Sequence, residues 1–479
     1  MLSARNINDL QVWFDDYRLI SNSAFELEDA RTRVAPGDVL LTIVGTIGRT
    51  AVVPADIPPF ALQRSVAVLK PRGIGSRYLA YALNSPALQQ WLIDNAKGTA
   101  QKGVYLKTLG SARIPIAPEQ EQTRIVEKLE ELLSDLDAGV TELKAAQKKL
   151  GQYRQSLLKA AVEGALTAEW RASRKVGAGD TAPETGAQLL ERILTERRAR
   201  WEAKQLARFA EQGKSAPKDW QKKYPEPVQP DTSNVSELPE GWVWASLGQL
   251  LAELTSGSRD WAPYYDRGKS VFVMAQNVRP WRPDFTFKQY VDPPVDHRDR
   301  LRSEIRLDDL LTTIVGANTG QVCRVSKAVS SHFVCQSVSL MRLVMSSMSE
   351  FVNAVLNSEG HGQRQFREMN YGAGRPHLSF DQLEAVLVPL PPLDEQVQVV
   401  NVVADILRTC EQTEAELVAL FKQSAAQRKN ILKAAFSGQL VPQDPNDEPA
   451  SVLLARIRTE RALRAAVKKP HGRKTKETA

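Results

Sequence analysis

The stretch LLKAAVEGAL at residues 157–166 recurs almost unchanged as ILKAAFSGQL at residues 431–440. Each copy has apolar residues three or four positions apart, Lys-Ala-Ala in the middle, and a Gly where a helix would end. Upstream, PEQEQTRIV at 118–126 and PLDEQVQVV at 392–400 have the same offset in numbering, since 392 − 118 equals 431 − 157. Because no residue is inserted or lost between these points, the chain contains an internal repeat with a segment of fixed length.

The repeat extends beyond this segment in both directions. GDVLLTIVGTIGR at 37–49 matches DDLLTTIVGANTG at 308–320, and SARNI at 3–7 matches MAQNV at 274–278 with the same offset as that pair. Downstream, LLERILTER at 189–197 matches LLARIRTER at 453–461 with a smaller offset. Small changes of offset are expected where loops differ in length, so the sequence predicts two copies of one architecture.

Apolar residues along the fixed segment follow steps of three and four, as in a coiled-coil seam. The seam positions are Ile125, Leu129, Leu132, Leu136, Leu143, Ala146, Leu150, Tyr153 and Leu157 in the first copy, and Val399, Val403, Ile406, Cys410, Leu417, Leu420 and Ile431 in the second. A helix over residues 121–163 would be about 65 Å long at 1.5 Å per residue. Core packing inside separate domains is the alternative, but two long helices of equal length favour packing on each other.

The segments before each long helix have a different pattern. VLLTIVG and SVAVLK are short β-branched runs divided by Gly, Pro and Asn, which is typical of strands, and helical stretches such as residues 76–93 follow them. The sequence therefore predicts mixed α/β globular domains. Between them lies a charged, partly helical segment whose prolines, in KKYPEPVQPDTSNVSELPEGW, indicate a linker that ends near Leu238.

The bulk composition predicts a multidomain protein of a reducing compartment. At 479 residues the chain is too long for one ordinary core, and it has three Cys, no secretory leader pattern and no apolar run of membrane length. We expect it to be cytoplasmic. The formal net charge of +7 equals that of the tail from Arg456 to Ala479, which holds nine Lys or Arg against two Glu, so global basicity is a weak indicator of DNA binding.

No catalytic or cofactor motif is apparent in the sequence. DIPPF at 56–60 lacks the acid-Pro-Pro-aromatic spacing of a methyltransferase, and RGKS at 267–270 lacks the upstream Gly of a phosphate loop. Cys323, His332 and Cys335 lack a fourth ligand and paired spacing for zinc. We therefore predict a non-catalytic protein without cofactor or metal.

The order of globular segment, PEQEQ or PLDEQ, long helix, LLKAAVEGAL or ILKAAFSGQL, charged linker and LPEGWVWASLGQL resembles the specificity subunit of type I restriction-modification systems. The resemblance covers nearly all of the chain. It implies an α/β (α+β) fold of two target-recognition domains joined by two long antiparallel coiled-coil helices, with pseudo-two-fold symmetry. It further implies binding to double-stranded DNA, docking of two modification (methyltransferase) subunits, and association of restriction subunits.

This resemblance gives expected domain boundaries. They are 1–118 for the first recognition domain, 119–168 for the first long helix, 169–237 for the charged linker, 238–391 for the second recognition domain, 392–442 for the second long helix and 443–479 for the basic tail. Residues 238–273 have no counterpart in the first copy, so we expect the first recognition domain to be shortened at its N-terminus. A specificity subunit of a type IIB-like or reduced system, and a coiled-coil scaffold that does not read DNA, are the alternatives.

Reading base edges requires Arg, Asn or Gln on loops that reach a groove, with Lys and hydroxyls on the phosphates. Two matched loops meet this requirement, and their candidate DNA-binding residues are Gln363, Arg364, Arg367, Asn370, Tyr371 and Arg375 in the second copy and Lys97, Thr99, Gln101 and Lys102 in the first. Weaker candidates on other loops and glycine turns are Arg259, Arg279, Asn318 and Arg49. Ordinary solvated loops are the alternative for both groups.

The resemblance also suggests why the long segment recurs. The length of the two helices would fix the separation of two DNA half-sites at about one duplex turn, near 34–36 Å. Both helix ends would then present the same docking surface to identical modification subunits.

Overall fold

The computed structural model describes residues 1–99, 101–177, 183–327, 332–369 and 376–467. Asn370, Tyr371 and Arg375 lie outside the described residues. The chain forms two compact units, one of Met1–Ala146 with the described residues from Glu416 on, the other of Gln147–Ala415.

The first unit is built on a three-stranded antiparallel sheet. Its strands are β1 (Ile7–Asn8), β2 (Gln11–Val12), β3 (Val39–Thr42), β4 (Thr50–Val52) and β5 (Val66–Leu69), and its helices are α1 (Asn22–Thr32), α2 (Ser76–Asn84), α3 (Pro86–Asp94), α4 (Leu106–Leu109) and the first part of α5 (Glu119–Val162), with a short 3-10 helix at Ala4–Asn6. The sheet order is β4-β3-β5, and β1 pairs with β2.

Every residue of β3 is buried because both faces of the sheet are covered. Leu41 packs with α2 and α3, whereas Leu40 points to the opposite side and packs with Leu2 and Ile7. Successive strand residues alternate between the two faces. The continuous run VLLT is therefore the expected pattern for a central strand covered on both sides.

The second unit holds the remaining strands and most of the remaining helices. Its helices are the rest of α5, α6 (Ala168–Gly177), α7 (Gly186–Glu211), α8 (Leu247–Leu250), α9 (Arg300–Ser303), α10 (Ser349–Asn357), α11 (Gly362–Met369), α12 (Phe380–Glu384) and the first part of α13 (Leu393–Phe436), with 3-10 helices at Trp220–Lys223, Ala262–Tyr264 and Ser346–Met348. Its strands are β6 (Val243–Ser246), β7 (Leu251–Ser256), β8 (Tyr265–Val273), β9 (Gln289–Val291), β10 (Leu310–Thr313), β11 (Val322–Arg324), β12 (Phe333–Val334), β13 (Val338–Leu343) and β14 (Leu387–Leu390). After α13, helix α14 (Ala450–Val467) belongs to the first unit.

The main sheet of the second unit repeats that of the first. Its order is β11-β10-β13-β7, all antiparallel, so β10 lies between β11 and β13 as β3 lies between β4 and β5. Strand β7, which comes from the segment without a counterpart in the first copy, pairs with β13. Smaller sheets, β12-β8-β9 and β14-β6, complete the unit.

The repeat reaches the level of single hydrogen bonds. The Asn6 side chain donates to the carbonyls of Trp13 (3.0 Å) and Asp16 (2.7 Å). Asn277, its counterpart in the second copy, donates to the carbonyls of Asp284 (2.9 Å) and Phe287 (2.7 Å), which follow Trp13 and Asp16 at the same offset. Both asparagines are buried. The match of SARNI with MAQNV therefore reflects a buried asparagine that makes the same two side-chain hydrogen bonds to the main chain in each copy.

The two long helices have identical lengths and equivalent ends. Both contain 44 residues, and α13 begins and ends at the positions that correspond to the bounds of α5 in the repeat. Gly164 (φ 78°) and Gly438 (φ 74°) follow the helices in the left-handed conformation that favours glycine. The amide after each glycine donates to a carbonyl five residues earlier, Ala165 to Ala160 (2.9 Å) and Gln439 to Ala434 (3.0 Å). The glycine of the repeated stretch thus ends both helices, as its spacing predicts.

Within each unit, one end of α5 packs on the opposite end of α13. In the first unit, Ile125 and Leu129 of α5 share a core with Leu432 of α13. In the second unit, residues near the end of α5 share a core with residues near the start of α13, among them Leu158 and Val403. Early residues of one helix thus meet late residues of the other, so the antiparallel coiled-coil arrangement is confirmed.

The buried positions differ in part from the predicted seam. Leu133 and Leu158 are buried rather than their predicted neighbours Leu132 and Leu157, and Tyr153 is 61% exposed. The helix ends pack on the globular part of their own unit as well as on each other. That second contact selects a face of the helix that the seam period alone does not specify.

A buried carboxylate fixes the start of α13. Glu395, whose side chain is 2% exposed, accepts hydrogen bonds from Thr167 (2.8 Å), from two nitrogens of Arg171 (2.8 and 3.0 Å) and from the indole of Trp242 (2.9 Å). These partners come from the segment after α5, from α6 and from the region that leads into β6. Glu395 therefore joins three separate parts of the second unit.

In the described part of the chain, no helix is both long enough and apolar enough to cross a membrane.

Candidate nucleic-acid interface

In the first unit, a glycine turn and a basic loop lie side by side at one end of the sheet. The turn at 43–49 joins β3 to β4, and the amide of Gly45 donates to the carbonyl of Lys102 (3.2 Å). Val44 forms a bridge with Gly103, which also forms two 2.9 Å hydrogen bonds with Lys97. Gly45 has a φ of 77°, and a Cβ there would lie 3.3 Å from the Gln101 amide. The left-handed backbone conformation therefore favours glycine at this position.

The predicted candidates of this loop are all exposed; they are Lys97, Thr99, Gln101 and Lys102. Neither lysine forms an ion pair within 4 Å with the described residues. The ammonium groups are therefore available to an external anion.

Arg49 lies on the other side of the same turn. Its backbone amide donates to the Thr42 hydroxyl (2.9 Å), which closes the turn, and its side chain is exposed. Together with Asp9, it lines a cleft of about 780 Å³ whose far wall includes Asp137 and Arg428 of the long helices. Arg49 therefore faces a mixed-charge cleft rather than the basic loop.

The second unit has the same turn and loop arrangement. The amide of Gly316 (φ 107°) donates to the carbonyl of Pro376 (3.2 Å), and Val315 forms a bridge with His377. In the numbering of the repeat, Gly316 and Val315 correspond to Gly45 and Val44, and Pro376 and His377 correspond to Lys102 and Gly103. The Thr319 hydroxyl also donates to the Gly316 carbonyl (2.7 Å).

Asn318 and Arg259 lie at this same end of the second sheet. Asn318 is in the turn that follows β10, and Arg259 is in the loop that follows β7. The Arg259 guanidinium donates to the Gln336 side chain, in the turn before β13. Because adjacent strands are antiparallel, the end of β10, the start of β13 and the end of β7 lie together. Arg302 anchors the loop after β7 by donating a hydrogen bond to the carbonyl of Ser256 (2.7 Å). A second hydrogen bond from Arg302, to the Asp299 carboxylate, holds the pKa of Asp299 below its ordinary value.

The candidates on α11 have partners within the fold. The Gln363 amide donates to the carbonyls of Gly320 (2.8 Å) and Leu356 (2.9 Å). Arg367 pairs with Glu359 (2.6 Å), and Arg364 lies 3.7 Å from Glu368. Gln363 thus has both amide hydrogens committed, while the two arginines are exposed and locally paired.

Gln363 has a counterpart in position and contacts in the first unit. Gln89 donates to the carbonyls of Gly48 (2.9 Å) and Leu83 (2.7 Å). In both units this glutamine ties a helix to the glycine turn. The sequence alignment of residues 361–377 with 97–107 does not place Gln363 opposite Gln89. The offset that relates α5 to α13 does place Gln363 opposite Gln89, so it is the signal that identifies their equivalence.

Arg279 lies apart from these loops. It is half-buried beside β11, where Trp281 forms a bridge with Cys323. Burial raises the pKa of Cys323 to about 12, so its thiol is protonated at neutral pH. Among the described residues, no group of His, Cys, Asp and Glu is arranged to hold a metal ion.

Sequence reasoning missed two exposed residues at the same end of the sheets. Arg64 and Gln336 lie in the turns that lead into β5 and β13. The signal that could have found them is the match of RSVAVL at 64–69 with QSVSLM at 336–341, whose offset is close to that of the glycine turns.

Comparisons with known proteins agree with this architecture. Residues 18–148 match the family model of the type I restriction modification DNA specificity domain. The EcoBI type I restriction enzyme specificity subunit of Escherichia coli is 36% identical over 197 residues, which cover 40% of this chain and 40% of that protein. The EcoEI specificity subunit of Escherichia coli is 22% identical over 409 residues, or 75% of this chain and 64% of that protein. The chain therefore spans less than two thirds of either relative.

A solved structure shares the fold. The solved structure comes from work on the structural basis of complex assembly and conformational transition of the type I R-M system. One of its chains aligns with this chain with a TM-score of 0.59 at 17% identity, covering 85% of this chain and 83% of that one. With the family match, this likeness confirms the mixed globular units and long helices that the sequence predicts. Residues 18–148 are therefore similar to the type I restriction modification DNA specificity domain, and the chain is similar in sequence to type I restriction enzyme specificity subunits.

Proposed function

We propose that this protein is the non-catalytic DNA-recognition subunit of a type I restriction-modification complex. Residues 1–118 and 238–391 would be recognition domains, each reading one half of a split duplex sequence. The observation that carries the proposal is the duplicated turn and loop, in which Gly45 binds Lys102 and Gly316 binds Pro376 through the same main-chain hydrogen bond.

The chemistry of the two loops fits a duplex. Exposed lysines without acidic partners can neutralise phosphates, and amide or guanidinium groups on neighbouring turns can read base edges. In the first unit, Lys97 and Lys102 would hold phosphates and Gln101 would face the bases. In the second, Arg259 and Asn318 would face the groove. Asn370, Tyr371 and Arg375, which lie outside the described residues, stay candidates for DNA contacts from the sequence alone. Gln363, whose amide hydrogens are used within the fold, would brace this surface.

The long helices would set the spacing of the two half-sites and dock the modification subunits, with restriction subunits joining the complex. Each helix of 44 residues is about 66 Å long at 1.5 Å per residue. Equal helix lengths and equal left-handed glycine ends would give identical modification subunits two equivalent docking surfaces.

The test is binding of duplex DNA by the full chain co-purified with its modification subunits, measured across a range of salt concentrations. Replacing Lys97 and Lys102 with Gln should weaken binding and reduce the slope of log affinity against log salt by about 0.9 per lost phosphate contact. The control replaces Lys144 and Lys148, two exposed lysines in the middle of α5, and should leave the slope unchanged. Equal retention of every duplex sequence by the wild-type complex would instead support a scaffold that does not read DNA.

A further inference from the structure

Three segments lie side by side in each unit, at the end of the main sheet that carries the glycine turn. In the first unit, the amide of Ile43 donates to the carbonyl of Ser65 (2.8 Å), and the carbonyl of Ile43 accepts from the amide of Val104 (2.8 Å). The glycine turn is thus flanked on one side by the segment that leads into β5 and on the other by the end of the basic loop.

The second unit repeats this arrangement. The amide of Ile314 donates to the carbonyl of Ser337 (2.9 Å), and its carbonyl accepts from the amide of Leu378 (3.0 Å). The residue before each serine therefore occupies one structural position in both units. That residue is Arg64 in the first unit and Gln336 in the second.

Both side chains are exposed and have unused donors. Arg64 forms no ion pair within 4 Å with the described residues, so its guanidinium has no acidic partner among them. Gln336 accepts one hydrogen bond from Arg259 through its side-chain oxygen. A carbonyl oxygen has two lone pairs, so this bond leaves one lone pair and both amide hydrogens of Gln336.

The two residue types favour different bases. A guanidinium donates two parallel hydrogen bonds to O6 and N7 of guanine, whereas a glutamine amide donates to N7 and accepts from N6 of adenine. We infer that Arg64 and Gln336 are equivalent specificity-determining residues, one for each half-site, and that Arg64 reads guanine while Gln336 reads adenine. The two half-sites therefore differ at the base pair that this position contacts. This inference rests on the proposed function.

The experiment selects DNA from a randomised duplex library with the full chain and its co-purified modification subunits, and sequences the retained duplexes. Arg64→Gln should reduce the preference for guanine at one position of one half-site by about 5- to 150-fold, the discrimination expected of one bidentate pair. Gln336→Ala should relax an adenine position in the other half-site. Neither change should alter the half-site of the other unit.

Arg72→Gln is the matched control. Arg72 is an exposed arginine beyond the opposite end of β5, so its replacement removes the same charge at a site away from the turn. The selected sequence should be that of the wild type. An unchanged guanine preference in Arg64→Gln, or an equal loss in Arg72→Gln, overturns the inference while the proposed function stands. Absence of any selected sequence with the wild-type complex overturns the proposed function and this inference with it.

Discussion

Glu395→Gln is expected to destabilise the second unit strongly, although it only replaces one carboxylate oxygen with an NH2 group. Glu395 Oε1 accepts three hydrogen bonds, one from Thr167 and two from Arg171, and Oε2 accepts one from Trp242. Glutamine can place its single oxygen on only one side. Its NH2 group then faces a donor, and Arg171, only 18% exposed, loses its counterion.

The expected loss follows from burial. Removing one partner of a buried ion pair costs about 3–5 kcal/mol, because the remaining charge is left without compensation. The neighbouring Asp394 is the control, since its side chain is 64% exposed and that of its partner Arg174 is 42% exposed. Exposed pairs contribute about 0–1 kcal/mol, so Asp394→Asn should have little effect.

Urea unfolding of the full chain, followed by tryptophan fluorescence, measures both variants under one condition. Glu395→Gln should lower the unfolding midpoint far more than Asp394→Asn. Replacing Arg171 with Met in the Glu395→Gln background should recover part of the loss, because the unpaired charge is then removed. Equal effects of the two single variants, or no recovery in the double variant, would refute the argument that the buried charge pair stabilises this unit.

The remaining predictions concern amide side chains that hydrogen-bond to the main chain, and the pH dependence of stability. Asn277→Ala should lower thermal stability, by about 1–3 kcal/mol for each backbone group left unpaired, and a change within about 0.5 kcal/mol in calorimetry would contradict the brace. Gln89→Leu and Gln363→Leu should each speed hydrogen exchange in the glycine turn of their own unit and leave the other turn unchanged. The pKa of Asp299 is lowered by its hydrogen bond from Arg302, so the stabilisation is present above the ordinary value of 3.8 and lost as pH falls toward the folded value. Asp299→Asn should therefore flatten the acid limb of a stability profile, and an unchanged limb would contradict this role.

The repeat and the long helices could be predicted from the sequence because their information is local. Apolar steps of three and four predict a helix over 121–163, and the structure has Glu119–Val162. The glycine end follows from the same local pattern. In contrast, the burial of Leu158 rather than Leu157 depends on residues such as Trp242 that are distant in sequence.

The candidate interface was predictable only in part for the same reason. The basic loop and the glycine turn each have local composition that favours an exposed loop, but their contact through Gly45 and Lys102 joins residues that are far apart in the chain. The role of Gln363 as a brace depends on the carbonyls of Gly320 and Leu356, which no local pattern specifies. The residues predicted to bind DNA in these loops remain predictions.

The link between Gly45 and Lys102, like that between Gly316 and Pro376, uses only main-chain atoms. Such a link does not depend on which side chain the partner carries, provided that the glycine stays. Substitutions along these loops could therefore accumulate while the attachment of the loop to the sheet persists. Under the proposed function, point changes in the loops would therefore alter the DNA sequence that is read with little loss of folding stability at each step.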